Sequence, residues 1–309
     1  MLIGAGVGIS LGWSMMMDSG NRVYLNGLVR TVYVGPESEL ADLARSNGAK
    51  VPQMGRLADT GTPAPELTAA LAEVRGCDEA TAEEALTEPL ARALMMLAAG
   101  QVDAVVGGEV APGSRLLTLT EELIGRREGI PGLTSSNVLL GTDEVIVYAD
   151  GALNEMPAAE SLAAIAEMAA EGAAAAGIDP RIAFIVQGRG VSAEEGTHER
   201  LQAAVELLTQ KRPDLDVDGP FEFEAAVSPE RARQLRLEGG VAGRANVCVF
   251  PDRRSAQTMF TAMQRSSGAA QLGPLVHGFT KKVNGAPVGA SAQELIDLIG
   301  LTALQAARI

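Results

Sequence analysis

The sequence predicts an α/β fold of two α/β/α lobes, each a mostly parallel sheet covered by helices on both faces. Three observations carry that expectation. The chain has 309 residues, enough for two cores. Hydrophobic residues make up 47% but aromatics only 3%, and so alanine-rich an apolar set suits helices packed closely on a sheet. Short β-branched runs alternate with helical stretches and stop at glycines, the rhythm of parallel strands joined by helical crossovers.

Taken in order, residues 1–17 are apolar and glycine-rich and read as a buried strand or a glycine turn entering a helix. No Lys or Arg precedes that stretch and it is short for a bilayer, so neither a signal peptide nor a membrane span is expected. Residues 30–34 read as a strand closed by Gly35-Pro36, and 37–47 as a helix stopped at Gly48. A helix over 80–99 and a strand over 102–106 follow, then a helix over 116–124. Residues 133–140 and 145–148 read as adjacent strands joined by a turn at Gly141. The alanine run 158–176 is a helix with Pro157 at its start and Gly177 at its stop. A strand over 182–186, a helix over 194–211, a strand over 247–250 and a last helix over 293–307 complete the pattern. The lobes are expected to be 1–140, completed by 281–309, and 141–280. Ligands of such folds gather beyond the carboxyl ends of the strands, which points to the turns 107–115, 187–192 and 251–257.

Lys and Arg number 25 against 39 Asp and Glu, a formal net charge of -14. That field repels nucleic acid and anionic membranes, while a few local arginines still suffice for an anionic small molecule. Cys77 and Cys248 form no metal motif and no disulfide framework, which favours the cytoplasm. His198 reads as a surface residue and His277 as a structural one, with no partner at metal-ligand spacing. No phosphate loop is present, and Gly4-Ala-Gly6-Val-Gly8 lacks the strand a dinucleotide turn requires ahead of it.

Three polar groups remain. Arg253-Arg254 follows a strand end, where adjacent guanidinium groups repel unless an anion or an acidic neighbour holds them. Arg265, Ser266, Ser267 and Gly268 form a group that can receive phosphate or cap a helix, and spacing favours the cap. Lys281-Lys282-Val283-Asn284-Gly285 reads as a basic turn, either meeting phosphates or solvated.

Several spaced segments resemble the phosphate acetyl/butyryltransferase family. Gly100-Gln-Val-Asp103-Ala-Val-Val-Gly107-Gly108 is similar to its G-x-A-D-x-x-V-x-G strand. Asp218-Gly-Pro-Phe-Glu-Phe-Glu-Ala-Ala-Val227, after Arg212-Pro-Asp214, is similar to its R-P-D…D-G-P-x-x-x-D-A-A-V segment. Val241-Ala-Gly-Arg244-Ala-Asn246-Val-Cys-Val-Phe-Pro-Asp252 is similar to V-A-G-x-A-N-V…F-P-D, and the resemblance runs from about Gly27 to the C-terminus.

The resemblance implies a homodimer and a reaction that moves an acyl group between coenzyme A and inorganic phosphate. Coenzyme A or acyl-CoA is then a substrate, with no tightly bound cofactor and no metal. An acidic residue helps the thiol attack the acyl phosphate, while serine and arginine groups stabilise the oxyanion. Carried over by position, the acid is Glu294. The family's N-D-L-S-R-G reads Asn284-Gly285-Ala286-Pro287-Val288-Gly289, so its serine and arginine are missing. Two further family arginines fall on Thr118 and Thr87. Arg115, Arg189 and Arg253-Arg254 appear in nearby turns instead, and with Arg265, Ser266, Lys281 and Asn284 they form the expected substrate-binding set. The alternative is a catalytically inactive or repurposed homologue that binds an anionic acyl, phosphate or CoA-type ligand, or a partner protein.

Overall fold

The structure is a computed structural model that describes residues 2–4, 32–35, 56–59, 62–107, 113–141, 144–186, 196–286, 290 and 292–307. The chain divides into two units, one of Met1–Arg127 with Phe279–Ile309, the other of Glu128–Gly278.

The first unit opens with β1 (Leu2–Gly4), β2 (Val32–Gly35) and β3 (Arg56–Asp59). A strand therefore does precede the glycines that begin at Gly4, contrary to expectation. Three residues suffice because β1 has a parallel neighbour on each side. The helix expected over 37–47 lies outside the described residues. Helix α1 (Pro65–Arg75) starts on a proline that needs no amide partner and ends at Gly76, whose φ of 62° suits a residue without a Cβ. The single helix expected over 80–99 is two, α2 (Glu79–Ala85) and α3 (Pro89–Ala98). Pro89 cannot donate to a preceding carbonyl and sits at the first turn of α3. Helix α3 is buried from Pro89 to Leu97, hence its apolar sequence, which only Arg92 interrupts; that buried side chain donates from Nε to the Leu86 carbonyl at 3.1 Å. Then come β4 (Ala104–Gly107) and α4 (Gly113–Leu123).

In the second unit, β5 (Thr134–Leu140) pairs antiparallel with β6 (Val145–Ala149). This pairing places residues 134–140 in the second unit rather than the first, where the expected boundary had left them. Helix α5 (Ala159–Ala175) packs its small side chains on the sheet. Next are β7 (Arg181–Ile185), α6 (Thr197–Lys211) and β8 (Asp216–Phe221). Gly219 lets β8 approach β7, because a Cβ there would stand 2.8 Å from the Phe184 carbonyl oxygen. The short helices α7 (Phe223–Val227) and α8 (Pro229–Gln234) lead to β9 (Val247–Val249). Helix α9 (Arg253–Ser267) and β10 (Ala270–His277) close the unit. Its sheet order is β10-β5-β6-β9-β7-β8, parallel from β6 to β8 and antiparallel from β10 to β6.

The chain then returns to the first unit with β11 (Lys282–Gly285) and α10 (Ala292–Ala306). The basic turn expected at 281–285 is thus an edge strand. Its Lys282, Val283 and Asn284 are buried. The first sheet runs β11-β4-β1-β2-β3, all parallel.

Candidate functional site

The carboxyl edge of the first sheet is a line of glycines. Gly4, Gly107 and Gly285 are in register across β1, β4 and β11; Gly107 is buried, and a Cβ on Gly285 would stand 3.2 Å from Leu116 Cδ2. The Ala286 amide donates to the Gly107 carbonyl at 2.7 Å, extending the pairing of β11 with β4 by one bond. Glu294 lies in the first turn of α10 and is half-buried; this helix follows β11 and packs on β4 and β11. A helix that follows a parallel strand begins at that strand's carboxyl end, so Glu294 belongs to this edge.

Arg115 lies in the first turn of α4, the helix after β4. Its guanidinium grips Glu88 in a fork, Nε at 3.2 Å and Nη2 at 2.6 Å, and that hydrogen-bonded carboxylate raises its pKa further. Thr118, one turn on, shares its face. Thr87, beside Glu88, donates its hydroxyl to the Glu84 carbonyl at 2.6 Å. The Arg115–Glu88 pair joins the start of α4 to the residue that precedes α3.

Lys281 and Asn284 are committed to the fold. Lys281 Nζ donates to the Leu97 carbonyl at 2.9 Å, capping the carboxyl end of α3. Asn284 is fully buried, and its Nδ2 donates to Thr302 Oγ1 at 2.9 Å and to Gln305 Oε1 at 3.2 Å.

The second unit holds a cavity of about 670 Å³ beyond the carboxyl ends of β7, β8 and β9. Strand ends supply Ile185, Val186, Phe250 and Pro251, and the chain after β8 supplies Glu222 and Phe223. One stripe of α9 forms the other wall with Arg254, Ser255, Thr258, Met259 and Ala262. Its start is fixed by Asp252, which accepts from the Ser255 amide at 2.8 Å and its hydroxyl at 2.6 Å. Behind the cavity Phe250 stacks on Tyr148, whose fully buried ring also meets Phe260 edge-on.

At the mouth, one carboxylate answers the repulsion between the two arginines. Glu155 Oε2 accepts from Arg253 Nε at 2.8 Å and from its Nη2, and Oε1 accepts from Arg254 Nε at 2.8 Å. These bonds, Arg253's first, hold the Glu155 carboxyl below its ordinary pKa. Arg265 and Ser266 lie at the far end of α9, roughly 18 Å along the axis from Arg253. Ser266 donates to the Met263 carbonyl at 3.2 Å, as the capping reading requires. Arg189 lies outside the described residues, as do Pro287 and Val288.

Sequence reasoning did not find Glu222, Phe223, Thr258 or Met259 as cavity residues. The stripe at 254, 255, 258, 259 and 262 was the available signal for the helix wall. The turn after 250 was found by position. No group of three or more His, Cys, Asp or Glu that could hold a metal occurs among the described residues. No helix among them is long and apolar enough to cross a membrane.

The model of the family described as phosphate acetyl/butaryl transferase matches residues 14–303. The phosphate acetyltransferase of Deinococcus radiodurans is 34% identical over 283 residues, which cover 91% of this chain and 40% of that protein. The chain thus spans about two fifths of that curated relative's length. Among solved structures, the EutD phosphotransacetylase from Staphylococcus aureus superposes with a TM-score of 0.87 at 25% identity, covering 99% of this chain and 94% of that one. A phosphotransacetylase from Streptococcus pyogenes gives 0.87 at 28% identity, covering 100% and 94%.

Proposed function

The chain belongs to the phosphate acetyl/butaryl transferase family, and from that premise we propose that it moves a short acyl group between coenzyme A and inorganic phosphate. The match over residues 14–303 is the observation that carries the proposal. In the direction of thioester formation, the coenzyme A sulfur bonds to the acyl carbon and the bond from that carbon to the phosphate oxygen breaks. The thiol proton passes to Glu294 and inorganic phosphate leaves.

Two features support this assignment of roles. Glu294 lies in the first turn of the helix that follows β11, the strand on which Asn284 opens the resembling motif. Arg115, one turn from the vacated arginine position at Thr118, supplies positive charge for phosphate when it leaves Glu88. Coenzyme A is then a free substrate, and the protein a cytoplasmic homodimer acting on anionic small molecules.

The test is coenzyme A-dependent exchange of labelled inorganic phosphate into acetyl, propionyl and butyryl phosphates. Exchange with at least one of them is expected. Its absence with all three removes the proposal.

A further inference from the structure

We propose that Arg254 is the phosphate-binding side chain for a phosphorylated nucleoside seated in the second unit's cavity. The inference rests on the proposed function only in taking coenzyme A as one source of that ligand; a free adenine nucleotide is the other.

The cavity fits such a body. Its volume of about 670 Å³ lies within the range of small-molecule pockets. Phe223 and Phe250 offer aromatic surface at the strand ends, and Met259 faces in from α9 with a polarisable thioether. Glu222 supplies an acceptor for a base amino group or a ribose hydroxyl. A base is the ligand part that uses apolar walls and one acceptor together. The phosphate needs a cation, because a chain of net charge -14 gives an anion no general welcome.

Arg254 is the cation that can turn to it. Its side chain is 81% exposed and lines the cavity, and its Nε donates to Glu155 Oε1 at 2.8 Å. Arg253 is fixed differently. It bonds Oε2 through two nitrogens, its amide donates to the Glu155 carbonyl at 3.2 Å, and Nη1 reaches Gln257 at 3.4 Å. When Arg254 swings to a phosphate, Glu155 keeps Arg253, so no charge is left unpaired. An exposed ion pair is weak, and a bidentate phosphate contact outweighs it.

The test is calorimetric titration of the full chain with coenzyme A, ADP and pantetheine at fixed ionic strength. The wild type is expected to bind ADP at least about 10-fold more tightly than pantetheine, which lacks the nucleotide. Arg254→Ala should weaken ADP about 10-fold or more and leave pantetheine unchanged. An equal loss for coenzyme A identifies the substrate as the occupant, and a loss for ADP alone identifies a free nucleotide. Thr258→Trp, which fills the cavity, should abolish ADP binding. Wild-type ADP affinity in either variant overturns the inference. Phosphate exchange run in parallel separates the claims, since an Arg254-dependent ADP site without exchange sinks the proposed function alone.

Discussion

Asn284 on β11 and Thr302 on α10 are joined by a 2.9 Å hydrogen bond inside the first unit. Thr302 passes the link on by donating to the Leu298 carbonyl at 2.6 Å. The family motif's first residue therefore fastens the last helix to the edge strand, and the helix carries Glu294. Asn284→Ala leaves buried partners unsatisfied and should cost about 1–3 kcal/mol. Denaturant unfolding measures that loss, and the affinity for ADP should not change. Wild-type stability would show that the bond does not hold the helix.

Cys248 gives the protein an alkaline weakness. Complete burial pushes its thiol up from 9.0 to about 12, so the folded state keeps the proton after the unfolded state has released it. The stabilisation is full below the unfolded pKa and is lost as pH rises through the window from about 9 to about 12. Tyr148, raised mainly by burial, acts in the same direction. Stability measured from pH 8 to 11 should fall, and Cys248→Ala should flatten the fall. An unchanged slope would refute the assignment to this thiol.

Thr118 offers a gain-of-function check. It is exposed on α4, one turn from Arg115 on the same face. Thr118→Arg adds a cation that Glu88 does not already hold. The expected result is a rise in kcat/KM for acyl phosphate of about 10-fold, from one added charge-assisted contact. No rise would place the substrate away from this face.

The strands were legible where both neighbours bury them. β4, β6 and β7 are short apolar runs, and the residues say so directly. β8 and β10 are edge strands containing Gly-Pro steps, and their sequences DVDGPF and AQLGPLVH carry turn signals that tertiary pairing overrides. β11 has a single apolar residue, Val283, between lysine and asparagine, so only its pairing with β4 reveals it. The site divides the same way. Arg253-Arg254 could be located because ligands gather at strand ends. Their partner Glu155 could not, since it lies 98 residues earlier in the chain and meets them only through folding.

The proposed reaction requires Glu294 to take the thiol proton. The direct measurement is the initial rate of acetyl-CoA formation from acetyl phosphate and coenzyme A, wild type beside Glu294→Ala. Turnover by the wild type and a loss of about 100-fold or more in the variant are predicted, as for removal of a general base. An equal rate in the two proteins, or no acetyl-CoA from the wild type, would contradict it.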